Sequence, residues 1–82
     1  MTYRIVIEKR AEKFIRKQTK ENQARLLTAI YKLPFSGDIK PFEGAAGVYR
    51  LRVGTFRVLY TVEHEIVTVR VLDAGNRGDV YK

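Results

Sequence analysis

Between Val48 and Tyr60 apolar and polar side chains alternate on both sides of a glycine, a pattern that reads as a tight antiparallel hairpin. Tyr49, Leu51 and Val53 fall on one face of its first strand, and Phe56, Val58 and Tyr60 on one face of its second, as half-buried strands require. A turn at Gly54 and Thr55 then sets Val53 opposite Phe56 and Arg52 opposite Arg57, with Arg50 beside them. Like charges directly across an antiparallel pair are destabilising. No acidic residue lies within the run to neutralise them. The arrangement therefore expects an anion between the guanidiniums, and phosphate is the natural candidate.

Elsewhere the composition allows a small core and narrows the chemistry. The 82 residues fit one small domain, residues 1–82, and 45% hydrophobic content suits a modest core rather than a disordered chain. A net charge of +7 favours nucleic acid, an anionic membrane surface or an acidic protein through long-range attraction, without choosing among them. There is no cysteine, which excludes disulfides and thiolate zinc sites, and a single histidine, which excludes His-pair chemistry. The apolar run from Ile5 to Ile7 is broken at once by Glu8, Lys9 and Arg10, so neither a signal peptide nor a membrane span is read and a cytoplasmic location is expected.

Along the chain, Thr2 to Ile7 reads as a short strand. From Glu8 to Gln18 the spacing of Ala11, Phe14, Ile15 and Gln18 is helical, with Lys9, Arg10, Lys13, Arg16 and Lys17 on the opposite face. Thr19 can cap a second helix, Glu21 suits its first turn, and Gln23, Leu26, Leu27, Ile30 and Tyr31 trace its buried stripe until Pro34 stops it. Pro34 to Gly47 holds both prolines and reads as a loop, with a small strand around Ile39 to Phe42. Three meandering strands follow, from Gly47 to Val53, Thr55 to Val62 and Ile66 to Asp73. A four-residue loop from Glu63 to Ile66 would pair Val62 with Val67, Tyr60 with Val69 and Val58 with Val71, and send Arg70 to the face of Arg57.

The expected fold is α+β with order βααβββ: a small, mainly antiparallel sheet with a helical hairpin packed on one face. The other face carries Arg50, Arg52, Arg57 and Arg70. The glycine-punctuated segment from Ala74 to Lys82 can turn Arg77 and Tyr81 back over it. His64, between Glu63 and Glu65, reads as a surface turn residue. The carboxylates Glu8, Glu12, Glu63, Glu65, Asp73 and Asp79 are scattered rather than spaced to hold a divalent metal, so no metal or other cofactor is expected.

The run from Gly47 to Tyr60, then Val69 to Arg77, then Val80 and Tyr81, resembles the RelE family of bacterial toxins within the RelE/ParE superfamily, over essentially the whole chain. That resemblance implies the toxin of a type II toxin-antitoxin pair: a ribosome-dependent endoribonuclease cutting messenger RNA in the A site. Its implied partners are a cognate antitoxin, the 70S ribosome and mRNA. By motif position Arg50 and Arg52 match the two basic residues of the family's first hairpin strand, and Arg57 the arginine after the turn. Arg77 matches the arginine of a glycine-x-arginine loop, and Tyr81 the terminal tyrosine.

In metal-free cleavage the 2′-hydroxyl attacks its neighbouring phosphate, so a site must remove one proton, stabilise a phosphorane and protonate the leaving oxygen. In these implied roles Arg50, Arg52 and Arg57 stabilise the added charge, Arg77 contacts the phosphate near the leaving oxygen, and Tyr81 accepts the 2′-hydroxyl proton or stacks on a base. Relatives often carry lysine at the positions of Arg50 and Arg52, so a mechanism drawing on an amine there is not open to this chain. The alternatives are a ParE-like inhibitor of DNA gyrase and a basic binding domain without chemistry.

Overall fold

The computed structural model describes residues 2–76. Within them β1 (Arg4–Ile7) leads into α1 (Lys9–Arg16) and α2 (Lys20–Ile30); then come β2 (Asp38–Pro41), β3 (Tyr49–Val53), β4 (Phe56–Glu63), a 3-10 turn (His64–Ile66) and β5 (Thr68–Asn76). The strands form one sheet in the order β1-β5-β4-β3-β2, antiparallel except for the parallel pair β1 and β5. The mainly antiparallel α+β arrangement is the one expected, and the small strand foreseen in the proline-containing loop is the edge strand β2.

Thr19 sets the bend between the helices: its hydroxyl accepts the Asn22 amide at 3.1 Å, satisfying an amide that the first turn of α2 leaves free. Gln23 tightens the corner by donating to the Gln18 carbonyl at 2.9 Å. The helical stripes then meet the sheet. α1 buries Ala11 and Ile15 and sets Phe14 edge-on against Phe56, with ring centroids 5.8 Å apart. α2 buries Leu26 and Ile30. Tyr31, read as the last residue of that stripe, is instead 63% exposed. The helix ends at Ile30, and the turn that follows carries Leu33 into the core in its place.

Leu26, Ile30, Leu33, Leu51, Val58, Val69 and Val71 are fully buried together, each contributing about 1.5–3 kcal/mol of transfer free energy. Tyr60 lies among them, stacked on Tyr49 at 5.7 Å, and burial first, the neighbouring Tyr49 second, push its phenol up to about 12.

The first hairpin has the expected register: Val53 faces Phe56, Arg52 faces Arg57 and Leu51 faces Val58. Gly54 has φ +60° and Thr55 does not share a positive φ, the pattern of a type II′ turn.

The second hairpin corrects the expected pairing. Its loop is four residues long but displaced by one, so that Glu63 faces Thr68, Val62 faces Val69 and Tyr60 faces Val71. A bulge then leaves Leu72 unpaired, and Leu59 faces Asp73 while Val58 faces Ala74 rather than Val71. The displacement comes from the 3-10 turn, which ends with Val67 at φ 50°.

A β-branched residue in the left-handed region is strained by about 1–2 kcal/mol. Val67→Gly is accordingly expected to raise stability by about 1 kcal/mol, read as a higher denaturant midpoint at unchanged slope. An unchanged or lower midpoint would show that the Val67 side chain contributes more than its backbone costs.

Candidate functional site

Two rungs of the sheet carry the site on the face away from the helices. In one, Lys40 of β2 faces Arg50 of β3, which faces Leu59 of β4, which faces Asp73 of β5. In the next, Asp38 faces Arg52, Arg52 faces Arg57, and Arg57 faces Gly75. The two-residue turn thus brings Arg50, Arg52 and Arg57 together as expected.

The three arginines are not equivalent. Arg52 is exposed, Arg50 keeps 18% of its side chain in solvent, and Arg57 is only 6% exposed. Arg57 Nε and Nη1 and Arg50 Nε are buried with no hydrogen-bond partner among the described residues. A buried donor left unsatisfied costs roughly 1–3 kcal/mol. Charge-assisted hydrogen bonds to a bound anion would offset that cost, and a forked guanidinium suits a phosphate's paired oxygens.

Arg50 and Arg57 open into a cleft of about 530 Å³ whose other lining residues are Lys40, Pro41, Phe42, Glu43 and Gly44. A Cβ at Gly44 would collide with the Phe42 ring, so glycine is what allows that ring to lie against the loop backbone here.

Two expectations about charge are corrected. The arginines were read as lacking a nearby carboxylate, but Asp38 Oδ1 lies 3.9 Å from Arg50 Nη2, diagonally across the β2–β3 pair. Arg70 does lie on the same face, but the displaced register puts it opposite Thr61, well along the sheet from Arg57. There it bonds Glu8 at 3.1 Å and Glu63 at 3.5 Å. Those hydrogen bonds, Glu8 first and Glu63 second, raise its pKa and hold it charged. Arg70 is a structural cation, held by its two carboxylates away from the cleft that Arg50 and Arg57 line. Arg77 and Tyr81 lie outside the described residues.

Lys40, Glu43 and Asp38 were missed as site residues. The available signal was the alternation of Asp38 and Lys40 with Ile39, which puts both charges on one face. His64 sits exposed in its turn, as read, and its Nδ1 shares a 2.9 Å hydrogen bond with the Tyr3 hydroxyl. Among the described residues no group of three His, Cys, Asp or Glu side chains is placed to hold a metal, and no helix is long and apolar enough to cross a membrane.

The geometry has counterparts among known proteins. A family model for the ParE toxin of the type II toxin-antitoxin system parDE matches residues 5–78. Toxin RelG of Mycobacterium tuberculosis is 34% identical over 67 residues, spanning 71% of this chain and 76% of RelG. Among solved structures, the chain is similar to one in the RelBE2 toxin-antitoxin complex of M. tuberculosis, with a TM-score of 0.78 and 25% identity over 94% of this chain and 100% of that one. It is also similar to one in the archaeal RelE-RelB complex of Pyrococcus horikoshii OT3, with a TM-score of 0.75 and 29% identity over 96% and 99%. Family match, sequence relative and fold converge, and the chain belongs to the RelE/ParE-type toxins of type II toxin-antitoxin systems.

Proposed function

We propose that this toxin is a ribosome-dependent endoribonuclease that cuts mRNA in the ribosomal A site by metal-free attack of a 2′-hydroxyl on the adjacent phosphate, and so stops translation in the cytoplasm. The observation that carries this reading is Arg57, whose Nε and Nη1 are buried without a partner among the described residues and which opens with Arg50 into a cleft. Such a site is organised for an anion whose charge grows during reaction, as a phosphorane's does. Arg50, Arg52 and Arg57 are assigned to that charge. Arg77 is assigned to the phosphate near the leaving oxygen and Tyr81, as phenolate, to the 2′-hydroxyl proton, both on the strength of the family motif. A site without histidines depends on its substrate being held in line, which is what a ribosome-bound codon would provide.

The gyrase-inhibitor alternative is supported by the ParE description of the matching family model. Favouring the ribonuclease are the RelE-type relatives and the cleft itself, since a surface that only grips another protein has no need of an unpaired buried cation. The two solved relatives described above are chains of toxin-antitoxin complexes. A cognate antitoxin is accordingly proposed here, its acidic amphipathic segment covering the basic face of α1, where Lys9, Lys13 and Lys17 are exposed, and the apolar grooves around the helical hairpin.

A primer-extension map of mRNA in a translation reaction is expected to show cuts confined to A-site codons and insensitive to chelator at concentrations that leave ribosomes intact. Efficient cutting of naked RNA, or gyrase inhibition without any cuts, would defeat the reading. Arg57→Met is expected to slow single-turnover cleavage by about 100-fold or more while raising stability by about 1–3 kcal/mol, because it removes both the charge and its unpaired donors. Loss of stability together with activity would instead make Arg57 a structural residue. For Tyr81→Phe a large fall in the cleavage rate with unchanged ribosome affinity is expected; full activity would reduce Tyr81 to stacking or packing.

A further inference from the structure

The cleft holds one cation of a different chemical kind. Lys40 faces Arg50 across the β2–β3 pair and lines the same cavity as Arg50 and Arg57. Arginine side chains offer fixed forks of donors but do not release protons under ordinary conditions. An ammonium group can, and it swings on a flexible four-carbon stem. Among the described residues no carboxylate forms an ion pair with Lys40: Asp38 is turned to Arg50, and Glu43, the acid in the lining, is in no ion pair there.

Directly opposed residues have Cβ atoms about 5 Å apart. A phosphate gripped between Arg50 and Arg57 therefore lies within reach of the Lys40 amine.

Resting on the ribonuclease reading above, we propose that Lys40 is the general acid of the cleavage step. The 2′-oxygen forms a bond to phosphorus as its proton passes to Tyr81, and the bond from phosphorus to the 5′-oxygen breaks. The released electron pair stays on that oxygen, which takes a proton from Lys40 Nζ. The products are a 2′,3′-cyclic phosphate and a 5′-hydroxyl, and Lys40, left as the neutral amine, regains its proton through solvent from Tyr81. The three arginines supply charge and grip without having to part with a proton. Edge strand β2 is what brings an exchangeable one into the cleft.

The test separates proton donation from charge. Lys40→Arg keeps the cation on an exposed edge position, where folding tolerates the exchange, but replaces the ammonium with a guanidinium, which does not part with a proton. Single-turnover cleavage is measured on ribosomes programmed with an ordinary A-site codon, and with the same codon carrying sulfur in place of the bridging 5′-oxygen, a leaving group that departs without protonation. The variant is expected to lose about 100-fold or more on the ordinary message and to match the unmodified toxin on the sulfur-substituted one. Unchanged cleavage of the ordinary message, or equal losses on both, overturns the assignment of Lys40 while leaving the ribonuclease reading in place. Absence of any cleavage by the unmodified toxin overturns that reading and the Lys40 assignment with it.

Discussion

Burying Arg57 with two of its nitrogens unpaired among the described residues costs roughly 1–3 kcal/mol for each donor. Small domains have only some 5–15 kcal/mol of net stability to begin with. The strand holding Arg57 must therefore be pinned from every side. β4 is the central strand, between β5 and β3, and its helix-facing residues Val58 and Tyr60 are sealed against α1 and α2. Turn geometry then leaves the guanidinium no alternative direction. With Val58 committed to the core by strict alternation, Arg57 must project to the other face. The apolar half of the hairpin holds the charged half in a place it would not choose.

The acidic residues complete this division. Glu8 and Glu63 hold Arg70, Glu12 meets Arg16 at 3.7 Å one helical turn away, and Asp73 meets Arg10 at 3.4 Å. These partly exposed pairs contribute little stability each. Their effect is on distribution: they neutralise cations remote from the cleft, while Arg57 keeps none of them. Asp38 is the exception, and at 3.9 Å from Arg50 it is a loose partner that an incoming anion could outcompete. Among the described residues, the cations left without a close carboxylate therefore include Lys40 and Arg57, both in the lining of the cleft.

How far such an arrangement can be read from residues alone depends on how local its causes are. Arg50, Arg52 and Arg57 were legible because a period of two and a two-residue turn fix their relative positions with no long-range information. The cap at Thr19 and the helical core residues Ala11, Ile15, Leu26 and Ile30 were legible from similarly local patterns, whereas Tyr31 was not, because the helix ends one residue before it. Lys40 and Asp38 were not, since their placement depends on the register of β2 against β3, set across a loop whose closure obeys no short-range rule. Arg70 was placed on the right face but in the wrong company. Its position follows from Val67 adopting a conformation that valine does not advertise, and the later bulge at Leu72 is hidden within an apolar stretch where either parity would serve.

β2 is the outermost strand on its side of the sheet, four residues long, and it ends in Pro41. An open strand edge is a template onto which further extended chains can add, and proline and lysine on that edge both discourage it, the first by lacking an amide hydrogen and the second by its charge. Lys40 and Pro41 stand side by side there. The segment that completes the cleft is thus also a poor template for edge-to-edge pairing, so the strand that opens the site to an anion is the same one that closes its edge to another sheet.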